Sequence, residues 1–328
     1  MVISVSHLKK YYQIHKKDPG FMGSVKSLFQ RRYETVKAVD DVSFSIDEGE
    51  LVGFIGPNGA GKTTTLKCFS GLLYPTSGSV TVLGYTPFER KPDFLKRSSL
   101  VMGQKNQLWW DLPAVETFFL NKEIYEIPDD QYKRTLGELV ELFEVEELLK
   151  VQVRKLSLGE RMKMELIAAL IHSPQVLFLD EPTIGLDVVM QKKMRDFIQE
   201  YNEAHTSTIL LTSHYMEDVR QLAKRVIIID HGKILYDGKL ESLVKKFAKH
   251  KVLSVVLETY VPPDKLKEIG ELIEYDFPRA VIRVARSASN VAAAQLLQKF
   301  PVDDLNIEEP DIEDIIRDVF TKKDQSAV

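Results

Sequence analysis

A glycine-rich segment at residues 56–63 has the composition and spacing of a loop that binds phosphate. It fits the pattern G-x-x-x-x-G-K-[ST], after an apolar run that favours a strand and before a stretch that favours a helix. Its glycines let backbone N–H groups turn inward around phosphate oxygens, and the helix start adds a positive dipole end. With the threonine that follows, the predicted nucleotide-binding residues here are Gly56, Pro57, Asn58, Gly59, Ala60, Gly61, Lys62, Thr63 and Thr64. We expect Lys62 to reach the β- and γ-phosphates of ATP and the Thr63 hydroxyl to bind Mg²⁺.

Two acidic residues lie at the end of the apolar run 176–180. Asp180 is expected to hold Mg²⁺ and its waters at the carboxyl edge of a sheet, and Glu181 to polarise the attacking water. Alone, an apolar run that ends in Asp-Glu is also typical of a strand that ends at the surface. Beside a phosphate-binding loop, it predicts ATP hydrolysis.

Continuous apolar runs are predicted to form the strands that position these side chains. The runs 176–180, 209–211 and 226–229 have the pattern of strands buried on both faces of a parallel sheet. Further strands are predicted at 42–46, 51–55, 80–83 and 100–102, and helices at 63–69, 116–150 and 161–172. In the acidic helical region, one apolar face is assigned to Leu136, Leu139, Leu142 and Phe143. The predicted fold class is α/β, with a helical subdomain at about 106–165.

The C-terminal part of the chain has a different order of predicted elements. The pattern βαββαβ is assigned to 252–257, 263–269, 272–275, 280–284, 290–300 and 304–307, with a last helix at 311–320. This order is that of the ferredoxin-like split unit. We therefore expect a domain at 1–246 and a small α+β accessory or regulatory domain at 247–328.

Composition excludes several classes of function. The 328 residues carry a net charge of -4, which gives no general signal for binding nucleic acid. The single cysteine, Cys68, excludes an intrachain disulfide. The start of the chain lacks the charged leader of a signal peptide, and its apolar runs are far shorter than the roughly 20 residues that span a bilayer. A role at a membrane is therefore expected to depend on a partner.

The order of motifs resembles that of the ATP-binding subunit of an ATP-binding-cassette (ABC) transporter. Residues 156–160 are similar to the signature usually written LSGGQ. The resemblance covers about residues 1–245, so the predicted fold is a P-loop ABC cassette with a helical signature subdomain. In chain order the matching residues after the phosphate loop are Gln104, Leu156, Ser157, Leu158, Gly159, Glu160, Asp180, Glu181, Gly185, Leu186, Asp187 and His214.

The resemblance implies a shared active site in a head-to-tail dimer with a second copy or a homologous ATPase subunit. Each ATP lies between the phosphate loop of one subunit and the signature of the other, where Ser157 and the Gly159 N–H meet the γ-phosphate. His214 contacts the same phosphate and helps to fix Glu181. Gln104 contacts Mg²⁺ or water, and Asp187 links the two sites.

Two positions depart from the family's signature, and one aromatic residue is assigned to adenine. Leu158 replaces a glycine, and Glu160 replaces the usual glutamine and places a carboxylate near bound phosphate, where Arg161 and Lys163 are candidates to offset its charge. The resemblance assigns stacking on adenine to Tyr12, with Tyr11 as the alternative. A ring at this place is also compatible with core packing.

Two further features suggest contacts with other molecules. The insertion at about 13–36 lies in a stretch, 9–37, that holds eight Lys or Arg and two Asp or Glu, with a possible basic helix at 23–33. It is either a solvated excursion or a contact with anionic lipid or a partner subunit. Trp109 and Trp110 are either core residues or part of the socket that, in the family, receives the membrane subunit.

The combination of motifs is similar to the branch that works with export permeases of the ABC-2 type. That branch implies a motor subunit at the cytoplasmic face of the cell membrane, bound to an integral-membrane permease. The alternatives are a non-transport ABC ATPase in solution, an importer motor and a catalytically weak regulator. Long coiled coils or a second phosphate loop would favour the non-transport ATPase. A β-barrel extension would favour the importer motor, and a lost catalytic residue would favour the weak regulator.

Overall fold

The computed structural model describes residues 1–16, 32–103, 107–213 and 215–316. The chain forms two compact units, Met1–Gly238 and Lys239–Val328. The division lies just before the helix Leu240–Phe247, a few residues ahead of the boundary predicted at 246/247. Gln104, His214 and most of the predicted basic helix at 23–33 lie outside the described residues, although its last two residues belong to a strand.

Among the described residues of the first unit, nine strands form two sheets. They are β1 (Ile3–Lys16), β2 (Arg32–Ile46), β3 (Leu51–Ile55), β4 (Ser77–Val82), β5 (Ser98–Met102), β6 (Val176–Asp180), β7 (Thr208–Thr212), β8 (Arg225–Asp230) and β9 (Lys233–Lys239). The larger sheet has the order β5-β6-β7-β3-β8-β9. The first five strands in this order, including β3, are parallel. The smaller sheet, β2-β1-β4, is antiparallel. All five residues of β6 and of β7 are buried, as their apolar runs predict.

The helices of the first unit are α1 (Lys62–Phe69), α2 (Pro92–Leu95), α3 (Ala114–Ile124), α4 (Asp129–Phe143), α5 (Leu158–Leu170), α6 (Val188–His205) and α7 (Met216–Leu222). Helix α1 packs with the two sheets, where the ring of Phe69 contacts those of Phe44 and Phe178. Helices α3 to α6 share a second apolar cluster with one side of β6 and β7. The apolar stripe of α4 differs from the prediction, because Leu142 is exposed and Val140 is buried in its place. Positions 136, 139, 140 and 143 follow the helical repeat, whereas 142 faces away from it.

The second unit has a four-stranded antiparallel sheet. Its elements are α8 (Leu240–Phe247), β10 (His250–Leu257), α9 (Pro263–Lys267), β11 (Glu271–Asp276), β12 (Arg279–Ala285), α10 (Ser289–Lys299) and β13 (Val302–Glu308). The sheet order β11-β12-β10-β13 is that of the ferredoxin-like split unit, so this prediction is confirmed. Alternate residues of β10 and β12 pack under α9 and α10. Residues 312–316 are helical, and the rest of the predicted last helix lies outside the described residues.

Within the described ranges, no helix combines the length and the apolar character that crossing a bilayer requires.

Candidate active site

The loop between β3 and α1 brings the backbone unusually close to two neighbouring strands. A Cβ atom on Gly56 would lie 2.2 Å from the carbonyl oxygen of Ile229, and one on Gly61 would lie 2.2 Å from that of Ala38. Gly61 also has φ 108°, a conformation that side chains disfavour. The close approach to β8 and β2 therefore requires glycine at both positions, and the positive φ requires it again at Gly61.

The Lys62 side chain folds back over this loop and is only 5% exposed. Its Nζ donates to the carbonyl oxygens of Gly56 at 2.6 Å and Pro57 at 3.2 Å. Burial lowers the pKa of Lys62, while the carboxylates of Glu181 and Asp180 oppose that shift. The ammonium group of Lys62 is thus held at the phosphate loop. A bound polyphosphate would supply negative charge to balance this buried cation.

Asp180 contacts the phosphate loop from the end of β6, as the sequence analysis expected. The Thr63 hydroxyl donates to Asp180 Oδ2 at 2.8 Å, and the Thr212 hydroxyl donates to Oδ1 at 2.8 Å. Both threonines fix the orientation of a carboxylate that is nearly fully buried. The structure therefore joins the two segments that the motifs predicted to work together.

Thr212 was missed by the sequence analysis. It ends β7 in direct register with Asp180 on β6. Its carbonyl and hydroxyl oxygens also accept the Glu181 N–H, each at 3.1 Å. The only signal in the sequence was its position at the end of a buried strand, since parallel strands end at one edge of a sheet.

Glu181 has a left-handed backbone, with φ 57°. This conformation is uncommon for a residue with a side chain and is found mainly where surrounding contacts enforce it. The preceding carbonyl, that of Asp180, accepts the N–H of Gly103 at 2.9 Å. Gly103 and Ser213, which precede Gln104 and His214 in the sequence, are the last described residues before those two positions.

The signature residues form the capped start of α5. The Ser157 hydroxyl accepts the Glu160 N–H at 3.3 Å, and the Glu160 carboxylate accepts the Ser157 N–H at 2.8 Å. This reciprocal pair is a capping box. The bonds to Ser157 lower the pKa of Glu160, so the carboxylate is held ionised within the cap. Lys163, one candidate to offset this charge, donates to the Phe143 carbonyl at 2.7 Å, and its charge also helps to lower the pKa of Glu160.

Leu158, the second departure from the signature, packs on the loop that follows Glu181. A Cβ atom on Gly185 would lie 2.5 Å from Leu158 Cδ2, so the glycine leaves space for the leucine. Two residues later, Asp187 begins α6 by accepting the Met190 N–H at 3.0 Å. The signature and the loop 185–187 therefore pack against each other within one chain.

The two tyrosines considered for adenine have different surroundings. Tyr11 donates its hydroxyl to Asp40, and Lys37 lies over its ring at 5.5 Å. That hydrogen bond raises the pKa of Tyr11. Tyr12 is 36% exposed, and Lys10 lies 5.2 Å from its ring centre. The Tyr12 ring is therefore the more accessible one for stacking.

Trp109 and Trp110 are 52% and 48% exposed, so neither is a core residue. Arg161, on α5, lies 5.8 Å from the Trp110 ring. The Arg154 N–H donates to the Trp110 carbonyl at 3.0 Å. The loop that carries Trp109 and Trp110, called the tryptophan loop below, thus contacts the chain on both sides of the signature.

Comparisons with known proteins match both units. The family model described as "ABC transporter" matches residues 39–184, and the model "EvrA-like ABC transporter, C-terminal domain" matches residues 249–308. The chain is 37% identical to the ABC transporter ATP-binding protein NatA of Bacillus subtilis over 66% of this chain and 87% of NatA. It is 34% identical to the bacitracin transport ATP-binding protein BcrA of Bacillus licheniformis, over 67% of this chain and 71% of BcrA.

Solved structures give the same result for the fold. A structure of the ATP-binding subunit of an ABC transporter superposes with a TM-score of 0.63 and 25% identity, covering 75% of this chain and 93% of the other. The cassette MJ0796, solved as a dimer in a post-hydrolysis state with ADP and Pi, gives 0.62 at 22% identity, covering 73% and 98%. The chain therefore belongs to the ATP-binding subunits of exporter-type ABC transporters and is the ATP-hydrolysing motor of such a transporter.

Proposed function

We propose that two copies of this chain pair head to tail and that Glu181 activates the water that hydrolyses each ATP. The observation that carries the proposal is the contact between Thr63 and Asp180 at 2.8 Å, with Glu181 as the next residue. This contact supports the proposal because the start of α1, the Asp180 carboxylate and Glu181 lie at one edge of the sheet, where they could bind phosphate, hold an ion and accept a proton. Ser157 and the Gly159 N–H supply the other half of the site from the partner copy.

Each group has a distinct part in the proposed reaction. Lys62 and the N–H groups at the start of α1 hold the β- and γ-phosphates, and the start of α5 approaches the γ-phosphate from the other copy. Glu181 accepts the proton of the attacking water. Gln104 and His214 are assigned to the γ-phosphate and its water, Asp187 to the link between the two sites, and Tyr12 to adenine. Glu160 contributes by holding Ser157 at the start of α5.

The residues at the phosphate loop fit Mg²⁺. The ion is usually held by one or two protein oxygens together with phosphate oxygens and water. Thr63 and Asp180 provide such a pair. The described residues contain no cluster of three or more acidic, histidine or cysteine side chains that could hold a metal without a nucleotide. When bound, the ion would neutralise charge that develops on the phosphates during hydrolysis.

Mixing two inactive variants tests the shared site. Lys62→Ala removes the phosphate contact and Ser157→Arg blocks the signature, so each variant alone is expected to lose hydrolysis. A mixed dimer has one site built from the intact phosphate loop of one copy and the intact signature of the other. Equal mixing should recover roughly a quarter of the wild-type rate, because half of the dimers are mixed and each has one intact site.

The measurement is steady-state ATPase activity of each variant alone and of the mixture, at equal total protein. Lys62→Ala mixed with itself, and with a double variant that carries both changes, provides the control. No recovery in a mixture that still dimerises with ATP would contradict a site shared between copies. Full activity of Ser157→Arg alone would place the whole site within one chain.

We further propose that the tryptophan loop binds an integral-membrane permease of the ABC-2 type at the cytoplasmic face of the membrane. Support comes from the exposure of Trp109 and Trp110 and from the similarity to BcrA, a transport ATP-binding protein. Exposed aromatic side chains are frequent anchors of protein interfaces. The contacts of Arg161 and Arg154 with this loop connect such an anchor to the signature.

Replacing both Trp109 and Trp110 with alanine is expected to release the chain from its permease while nucleotide binding stays near the wild-type level. Two aromatic anchors that each lose about 2 kcal/mol or more would together weaken the complex roughly a thousandfold or more. Copurification of the tagged chain with membranes measures this. Tyr260→Ala, which removes an exposed ring elsewhere in the chain, is the matched control. Retention of the double variant at wild-type levels would rule out the loop as the main contact.

A further inference from the structure

A buried ion pair lies behind the loop that carries Glu181. Asp218, on α7, is fully buried, and Arg195, on α6, is nearly so. Arg195 Nη1 donates to Asp218 Oδ1 at 2.8 Å. The other oxygen of Asp218 accepts the hydroxyl of Thr183 at 2.5 Å and that of Ser213 at 2.7 Å. None of these four side chains belongs to the nucleotide-binding motifs.

The two hydroxyl donors come from the segments on either side of the hydrolysis edge. Thr183 lies two residues after Glu181. Ser213 follows Thr212, whose carbonyl and hydroxyl oxygens accept the Glu181 N–H. The contacts therefore close a ring through Glu181, Thr212, Ser213, Asp218 and Thr183. Asp218 is the member of this ring that joins the two segments from behind.

The backbone that the ring holds needs external support. Glu181 has φ 57°, which persists in a residue with a side chain only when surrounding contacts over-determine it. A general base must also lie within hydrogen-bond reach of its water, so a displacement of about 1 Å can reduce the rate roughly a hundredfold. A clamp on both sides of Glu181 therefore has a direct effect on the reaction.

Charge explains why an aspartate occupies the centre of the ring. An ionised carboxylate accepts several hydrogen bonds at once, and these are stronger than bonds to a neutral acceptor. Arg195 balances the charge, and its Nε donates to Gln221 at 2.9 Å, which fixes the guanidinium. Because a buried ion pair is by itself weak evidence for stability, its two hydroxyl partners are the informative feature.

We propose that Asp218, balanced by Arg195, is a positioning residue for ATP hydrolysis that fixes the backbone of Glu181 through Thr183 and Ser213. The inference rests on the proposed role of Glu181 as the base. It assigns to α6 and α7 a task in the reaction that the known motifs do not contain.

Thr183→Val and Thr183→Ser test the ring, because valine has the shape of threonine without the hydroxyl, whereas serine keeps it. The valine variant is expected to lower kcat roughly 10- to 100-fold with KM for ATP within about twofold of wild type. The serine variant should restore most of kcat. Ser207→Ala is the matched control, since it removes a buried hydroxyl that donates to the Pro174 carbonyl at 3.1 Å, away from the ring.

A second measurement separates positioning from general destabilisation. In a Glu181→Gln background, Thr183→Val should cause little further loss, because residues that act as a unit have non-additive effects. The proposal is overturned if Thr183→Val keeps the wild-type kcat, if serine is as impaired as valine, or if the loss is equally large in the Glu181→Gln background. A wild-type rate in Glu181→Gln itself would instead remove the assignment of the base.

Discussion

Replacing Glu181 with glutamine is expected to lower kcat for ATP hydrolysis at least roughly a hundredfold, because general-base catalysis contributes 10²–10⁴-fold. Glutamine has nearly the same shape but cannot accept the proton of the attacking water. The backbone contacts of Glu181 with Thr212 do not involve the side chain and should persist. ATP binding should therefore stay near the wild-type level. With binding intact and hydrolysis blocked, the variant should accumulate as an ATP-bound dimer.

Single-turnover hydrolysis measures the chemical step, and size-exclusion chromatography with and without ATP measures the dimer. Glu200→Gln, which makes the same change on an exposed part of α6, should behave as wild type in both. Hydrolysis by Glu181→Gln at the wild-type rate would show that another group activates the water. Slow hydrolysis without a trapped dimer would leave the base in place but contradict closure of the dimer by ATP.

The parts of this site that the sequence predicted are those encoded by neighbouring residues. The loop at 56–63 and the run at 176–180 specify a strand, a turn and a charged group within a few positions. The structure places β3 and β6 at the expected bounds. All five residues of β6 are buried. This follows from a sheet that is covered on both faces, so it can be predicted without knowledge of distant contacts.

Residues whose roles depend on strand register were not predicted. Thr212 becomes a partner of Asp180 only because β6 and β7 are parallel and aligned at these positions. Asp218 likewise contacts Thr183 and Ser213 through the packing of two helices on that sheet edge. A polar residue at the end of an apolar run indicates the edge of a sheet but does not identify the side chains that it contacts there.

Two other differences have local causes. The predicted signature helix starts at 161, whereas α5 starts at Leu158, after a capping box of Ser157 and Glu160 that has a recognisable spacing in the sequence. The strand β2 begins at Arg32, well before the strand predicted at 42–46, because shifts in its pairing with β1 near Lys10 break the simple alternation of buried and exposed residues. Their register places Tyr12 opposite Val36 on the exposed part of the hairpin.

Replacing Asp180 with asparagine is expected to reduce kcat at least roughly a hundredfold, since a metal ion stabilises transition-state charge by several kcal/mol. Asparagine keeps the shape and can still bond the hydroxyls of Thr63 and Thr212, so the fold should be retained. The loss should therefore come from weaker binding of Mg²⁺. The concentration of Mg²⁺ that gives half-maximal hydrolysis should rise, whereas binding of ATP in the presence of a chelator should change little.

Thr63 provides the comparison that separates a shared ion from a structural effect. Thr63→Ser keeps the hydroxyl and should retain hydrolysis, whereas Thr63→Val should raise the Mg²⁺ requirement in the same direction as Asp180→Asn. If both residues hold one ion, combining Thr63→Val with Asp180→Asn should cost less than the sum of the separate free-energy losses. Asp196→Asn, on an exposed face of α6, should leave the Mg²⁺ titration unchanged. An unshifted titration in Asp180→Asn would mean that this carboxylate orients Thr63 and Thr212 without holding the ion.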